Sequence, residues 1–153
     1  MTGQPDTRRA DGPLRQLSLW FQRTMNARTV SRIRRKGGHM MGMQTFILHT
    51  TGRRTGAHRE SPLACFAESD DTWLVVASGG GDRHPDWYAN LMANPEQAAV
   101  EFSGCAPRPV RPQRLHGEQR AQAWNRIIEE QPRIGRYQRK SAREYPLVRL
   151  TAV

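Results

Sequence analysis

Apolar positions along the chain follow two spacings. From Pro13 to Lys36 the residues Leu14, Leu17, Trp20 and Phe21 recur at helical intervals, continued more loosely by Met25, Val30 and Ile33. This predicts an amphipathic helix over 13–36, with Arg15, Arg23, Arg28, Arg32, Arg34, Arg35 and Lys36 on its other positions and Gly37-Gly38 at its end. Three short β-rich runs follow at 44–50, 61–67 and 72–78, with a hairpin turn at Glu68–Asp71 between the last two. Pro85 and Asp86 open a short helix that Asn94-Pro95 stops. Two further strands, 97–103 and 108–115, flank a turn at Gly104–Pro107, and the prolines at 107, 109 and 112 predict that the second is an edge strand or irregular. Glu118 to Gln131 reads as a helix with Ala121, Trp124, Ile127 and Ile128 on one face. A short segment around Tyr137 and a last strand, YPLVRLTAV, complete the chain. Consecutive strands joined by short turns pair antiparallel, so the fold class is α+β, built on a small barrel or sheet with flanking helices. Residues 1–12, polar and rich in Gly and Pro, read as a disordered tail ahead of a single domain over 13–153.

Charge narrows the partners. The 153 residues carry 24 Lys+Arg against 14 Asp+Glu, a formal net charge of +10, and the basic residues are nearly all arginine. Arginine presents a fork suited to phosphate and carboxylate, so an acidic partner is expected: nucleic acid, anionic lipid or a small polyanion. No apolar run approaches the roughly 18 residues of a membrane span, and the N-terminus shows no secretory h-region. Cys65 and Cys105 form neither a disulfide framework nor a metal-ligand spacing. These features predict a cytoplasmic protein. His39, His49, His58, His84 and His116 are scattered and read as surface or turn residues, and no metal site is expected.

Two stretches carry candidate chemistry. In TTGRRTGAHRESP, residues 50–62, Gly52 and Gly56 permit positive φ and expose backbone N–H groups. Arg53, Arg54 and Arg59 add guanidinium groups there, and Thr50, Thr51 and Thr55 add hydroxyls. The turn lacks the spacing of a P-loop. It reads equally as an anion cradle or as a solvated hairpin tip. In VVASGGGDRHPDWYAN, Ser78 and Gly79–Gly81 leave a strand and enter a helix, so backbone donors converge near a helix N-terminus. A flexible connector is the competing reading. Asn90 reads as a cap or as a ligand contact.

Together, LHTTGRRTGAHRESPL, VVASGGGDRHPDWYANLMANP and QPRIGRYQRKSAREYPLVRL resemble the deazaflavin (F420)-dependent nitroreductase and F420H2-dependent quinone reductase family. These are small actinobacterial proteins with an FMN-binding-like split β-barrel, an antiparallel Greek-key arrangement. The resemblance runs from about Leu14 to the C-terminus and implies that the chain binds coenzyme F420, a deazaflavin whose ribityl phosphate forms a lactyl phosphodiester that carries an oligoglutamate tail. Such a polyanion accounts for the arginine turn. By resemblance, Gly52, Arg53, Arg54, Thr55, Gly56 and Arg59 hold the phosphate end, and Glu60, Ser61, Pro62, Leu63 and Ala64 run along the cofactor. Val76, Ala77, Ser78 and Gly79 lie against its rings, and Asp86, Trp87, Tyr88, Ala89 and Asn90 close the other side. FMN, with one phosphate and no acidic tail, is the weaker candidate.

The sequence departs from its relatives in two places. Many carry a lysine after the serine, where this chain has Gly79, and Arg83 is a candidate replacement. The nitroreductase type has several tyrosines near the C-terminal segment. Here only Tyr137 stands in register, with Gln131 and Ile134 in the other two places, so substrate range rather than cofactor binding is expected to differ. The implied reaction is hydride transfer from the reduced deazaflavin to a quinone, enone or nitroaromatic acceptor held within roughly 3–3.5 Å. Ser78 is expected to meet charge developing on the acceptor oxygen, and Tyr137 to supply a proton. Leu17, Phe21, Met25, Ile134 and Tyr137 are the expected substrate contacts. The N-terminal helix fits either a cover over the barrel or peripheral contact with an anionic membrane. A non-catalytic deazaflavin or flavin carrier is the competing class. A nucleic-acid binder is disfavoured because no stacking-aromatic pattern or reader motif accompanies the charge.

Overall fold

The computed structural model describes residues 26–40, 42–79 and 82–153. The expected tail 1–12, the first half of the expected helix with Leu17, Phe21 and Met25, and the glycines 80 and 81 lie outside them. Residues 26–36 form helix α1, ending where Gly37 takes φ +87°. Strands β1 (His39–Met40) and β2 (Met43–Thr51) follow, then β3 (His58–Ala64), β4 (Phe66–Ser69) and β5 (Thr72–Val76). Helix α2 (Asp86–Ala93) and a short 3-10 turn (Pro95–Gln97) lead to β6 (Ala99–Glu101) and β7 (Arg108–Arg114). Helices α3 (Gly117–Glu130) and α4 (Pro132–Lys140) precede the last strand, β8 (Leu147–Ala152).

Strand β2 organises the sheet. Its residues Thr45–Thr50 are all buried, because it is covered on both faces. Phe46 and Leu48 enter the main core with Trp73, Val75, Leu91, Val100, Val148 and Leu150. Ile47 points the other way and packs on Val30 and Ile33 of α1. The same alternation sends Leu74 and Leu147 to a second core beneath α3, with Phe66, Leu115, Ala123 and Ile127. Every pairing is antiparallel, along the path β1-β2-β6-β7-β8-β5-β4, with β3 on the other edge of β2. β3, on that edge of β2, and β4, at the end of the path, are neighbours in sequence, separated by Cys65, whose N–H donates to the carbonyl of Gln44 (2.8 Å). The sheet therefore curls far enough for two consecutive strands, broken at Cys65, to serve both of its ends. Among the described residues no ladder joins β3 to β4.

Four expectations need correction. The run 61–67 is two strands rather than one, since its first part pairs with β2 and its second with β5. Strand β7 is interior to the path despite its prolines. Pairing with β6 is confined to Arg108 and Pro109 and pairing with β8 runs from Val110 to Arg114, the two overlapping only where Val110 N–H donates to the Ala98 carbonyl (3.0 Å) and Val153 N–H to that of Pro109 (3.1 Å), so most of the strand has a single neighbour and tolerates missing N–H groups. On α3 the buried positions are Ala123 and Ile127, with Trp124 partly buried, and Ala121 is exposed. His49 likewise is a buried strand residue, not a surface one. Among the described residues no helix is long and apolar enough to cross a membrane.

Helix α1 is tied to the sheet by charge as well as packing. Arg34 donates to Glu101 Oε2 (2.9 and 3.1 Å) and Oε1 (3.2 Å) and contacts Glu60 (3.0 Å). The Arg34 guanidinium holds the Glu101 carboxyl below its ordinary range, against the opposing effect of burial. Folding therefore favours the ionised carboxylate. This contribution is present above the unfolded-state pKa of about 4.3 and is lost as the pH falls through the lower folded value. Thermal midpoints measured for wild type and Glu101→Gln should differ most at neutral pH and converge on acidification below about pH 4. Burial also pushes the Cys65 thiol up to about 12, whereas Cys105 is exposed. Iodoacetamide should label Cys105 in the native protein and Cys65 only after unfolding, as peptide mass mapping would show.

Candidate functional site

The arginine turn closes the β2–β3 hairpin. Gly52 N–H donates to the carbonyl of Ala57 (2.7 Å) and Gly56 N–H to that of Gly52 (2.9 Å), while the Thr55 hydroxyl accepts from Ala57 N–H (3.2 Å). Gly56 sits at φ +71°, which excludes most other residues. Gly52 has no positive φ, contrary to expectation. It must be small for a different reason: a Cβ there would lie 3.0 Å from the Thr55 hydroxyl and 3.3 Å from the Ala57 carbonyl.

Helix α2 fastens this turn. Asn90 Oδ1 accepts from both the backbone N–H of Arg53 (3.1 Å) and its guanidinium (2.8 Å), and Arg53 also reaches Asp86 (3.2 Å). Asn94 donates to the Thr51 carbonyl (3.3 Å). Asn90 is buried, and its oxygen is spent on holding the turn. The Arg53 side chain is committed to this anchorage. Those of Arg54 and Arg59 are not: neither side chain makes a hydrogen bond or ion pair among the described residues. The turn thus presents two uncommitted guanidinium groups beside an anchored one.

At its other end α2 adjoins a second constellation. The chain leaves β5 with Ala77 N–H bonded to the Pro146 carbonyl (2.9 Å) and Ser78 N–H to that of Val76 (3.0 Å). The Ser78 N–H is therefore not a free donor. What converges here is a row of carbonyls: Arg143 donates to those of Ala77 (3.1 Å), Ser78 (3.2 Å) and Gly79. Arg143 also donates to Nδ1 of His84 (3.2 Å). A guanidinium has no acceptor, so Nδ1 is unprotonated and the neutral ring carries its proton on Nε2. Desolvation first, then Arg143 and Arg114, keep the His84 pKa below its usual value.

Helix α4 supplies the facing wall. Gln138 donates to the Arg143 carbonyl (2.8 Å) and accepts from Tyr145 N–H (2.8 Å), and the Tyr145 hydroxyl donates to the Tyr137 carbonyl (3.2 Å). Arg143 lies over the Tyr145 ring, 4.9 Å from its centroid. Between this wall and the Ser78 loop is an open cavity of about 500 Å³, lined by Ser78, Gly79, Asp82, Tyr137, Lys140 and Tyr145 among others.

The structure thus brings Ser78, Gly79 and Tyr137 together, and Tyr137 is half exposed. Ile134 does not line this cavity; it packs into the second core. Val76 joins that second core too, while Ala77 and Leu63 contribute to the main one. Trp87 packs on the main core, and Tyr88 is buried within it, its hydroxyl accepting from Arg114 (3.1 Å). Ala89 is half-buried on α2. Arg59, Ser61 and Leu63 share one face of β3, with Glu60, Pro62 and Ala64 on the other, where Glu60 meets Arg34 of α1. Arg83, the candidate cation, is exposed. Sequence reasoning missed Arg143, Lys140 and Tyr145. The one available signal was Lys140 standing three residues beyond Tyr137, on the same side of a helix.

A Mycobacterium tuberculosis F420H(2)-dependent quinone reductase is 38% identical over 112 residues, covering 70% of this chain and 72% of the relative. A solved F420-H2 dependent reductase superposes with a TM-score of 0.59 at 34% identity, over 69% of this chain and 92% of that one. A domain-swapped dimer structure gives a TM-score of 0.60 at 29% identity, over 91% of this chain and 99% of the other. Residues 20–152 match the F420H(2)-dependent quinone reductase family, and with nearly the whole described fold inside that match, the chain belongs to it.

Proposed function

We propose that this F420H2-dependent oxidoreductase reduces a quinone-class acceptor in the cavity of Ser78 and Tyr137, with the acidic end of the cofactor on the arginine turn. The observation that carries the reading is the pair of uncommitted guanidinium groups, Arg54 and Arg59, on a turn anchored to the helix that borders the cavity loop. Family membership gives the cofactor class, and the residues present fit it. A phosphate or carboxylate is the ligand that unpaired arginines bind best. Gly79 leaves space, since the nearest atom to a Cβ built there is 4.0 Å away. The split-barrel arrangement is part of the same proposal, supported by the consecutive strands β3 and β4 that serve the two ends of the sheet.

When bound, the reduced deazaflavin supplies the hydride; the chain's own residues bind, orient and protonate. Arg54 and Arg59 hold the anionic end, and Arg53 fixes the turn to α2 so that this end stays in register with the cavity. Arg143 immobilises the Ala77–Gly79 carbonyls, which keeps the Ser78 hydroxyl at the cavity wall. That hydroxyl and the Lys140 ammonium meet negative charge that develops on an acceptor oxygen. The Tyr137 phenol is positioned to deliver the proton that completes reduction to a hydroquinone. Enones and nitroaromatics have the same electronic requirement. Without a tyrosine at 131 or 134, the aromatic wall is confined to Tyr137 and Tyr145.

Steady-state assays with F420H2 and menadione test these roles. Replacing Arg54 and Arg59 together by Ala should weaken F420H2 binding by about tenfold or more and leave kcat nearly unchanged. Tyr137→Phe should do the reverse, lowering kcat about a hundredfold with cofactor affinity retained. Unaltered affinity in the double variant would remove the turn from the site, and unaltered kcat in Tyr137→Phe would remove the proton donor.

A further inference from the structure

On the face of the sheet that carries α1, opposite Arg59 and Ser61, lies a cluster that hydride transfer does not use. We propose that His49, His58 and Glu60 form a binding site for a divalent cation of the zinc class. The inference stands apart from the proposed function, because it concerns other side chains on the other face of the hairpin.

The geometry follows from antiparallel pairing. Glu60 is directly opposite His49, and His58 is two residues before Glu60, opposite Thr51. Residues i and i+2 of one strand and the partner of one of them share a face, so three side chains project into one space. Their ligating atoms all lie within 4.8 Å of one another. His49 Nδ1 and His58 Nε2 are 2.8 Å apart, in a hydrogen bond between nearly parallel rings. Two imidazole nitrogens bound to one tetrahedral zinc at 2.0–2.1 Å stand about 3.3 Å apart. A widening of about half an ångström therefore exchanges the shared proton for a metal ion.

The surroundings are those that a histidine ligand needs. His49 Nε2 is 3.2 Å from a Glu101 oxygen, and Glu101 is itself gripped by Arg34. A carboxylate accepting from Nε2–H fixes the tautomer that leaves Nδ1 as a lone-pair donor, the usual support behind a metal-bound imidazole. Arg34 engages Glu60 through Oε1, which leaves Oε2 for a cation. One guanidinium against two carboxylates leaves a formal negative charge, so the cluster attracts a cation even in a basic protein. His49 is buried while His58 is exposed, giving a site anchored on one side and open to solvent at a fourth position. Two His and one Glu with an open position is a zinc-type donor set. The spacing, His-x8-His-x-Glu, brackets the arginine turn, so a bound ion would cross-link the two strands at its base.

Equilibrium dialysis of the untagged full chain against Zn²⁺, with metal counted by mass spectrometry, tests this, alongside visible spectra of the Co²⁺ form. His58→Gln is the variant of choice, because an exposed side chain can be changed without disturbing the core; circular dichroism checks that it folds. The expected result is one Zn²⁺ per wild-type chain, a tetrahedral Co²⁺ band, and a melting temperature that rises with Zn²⁺. In His58→Gln the affinity should drop at least about tenfold and the thermal response should disappear. Equal binding by the folded variant, or no saturable binding by wild type at micromolar Zn²⁺, overturns the proposal.

Discussion

Strand β2 must satisfy backbone donors and acceptors along both edges while hiding both faces, and most of the architecture follows from that demand. β3 takes one edge, β6 and β1 the other. The main core covers Phe46 and Leu48, and α1 covers Ile47. Among the buried polar side chains of this strand, His49 has a bonded partner at each step through Glu101 to Arg34, whereas the hydroxyls of Thr45 and Thr50 have none among the described residues. The turn at its end inherits this rigidity. Arginines on a floppy hairpin would pay a large ordering cost to hold a ligand; on β2 and β3, fastened again by Asn90 and Asp86, much of it is met by folding.

Arg53 and Arg143, beside the candidate site, act as mechanical parts rather than as charges for a ligand. Arg53 binds the turn to α2, and Arg143 gathers three consecutive carbonyls and a neutral histidine. Composition alone would count both toward an anion-binding surface. Their donors are spent internally, so the formal charge of +10 overstates what an approaching polyanion meets at each site. On the turn, Arg54 and Arg59 remain. The proposed placement of the acidic cofactor rests on this distinction between committed and uncommitted guanidinium groups more than on the total.

Local rules served well wherever one element decides its own fate. The glycine stop after α1, the strands over 44–50 and 72–78, the helix opening at Asp86 and the long helix before Gln131 all depend on spacing, turns and caps within a few residues. They failed where a distant partner decides. The break at Cys65 exists because two different strands claim the two halves of one run. The proline-bearing strand 108–114 is interior because its neighbours change along its length. On α3 the buried stripe is set by what lies beneath it, and Ala121 falls outside.

The sequence by itself determined the order of elements, the excess of arginine, and the motifs that place the chain among deazaflavin-dependent reductases. Each of these resides in residues close together in the chain, where spacing is a physical constraint. Tertiary structure decided which side chains meet. It joined Tyr137 and Lys140 to Ser78 across the cavity, set Arg143 on the carbonyls of a loop 64 residues away, and sent Ile134 and Tyr88 into cores. It also turned three scattered ligands, His49, His58 and Glu60, toward one point. Register between strands controls such encounters, and register is fixed by burial over the whole sheet, which no short window of sequence contains.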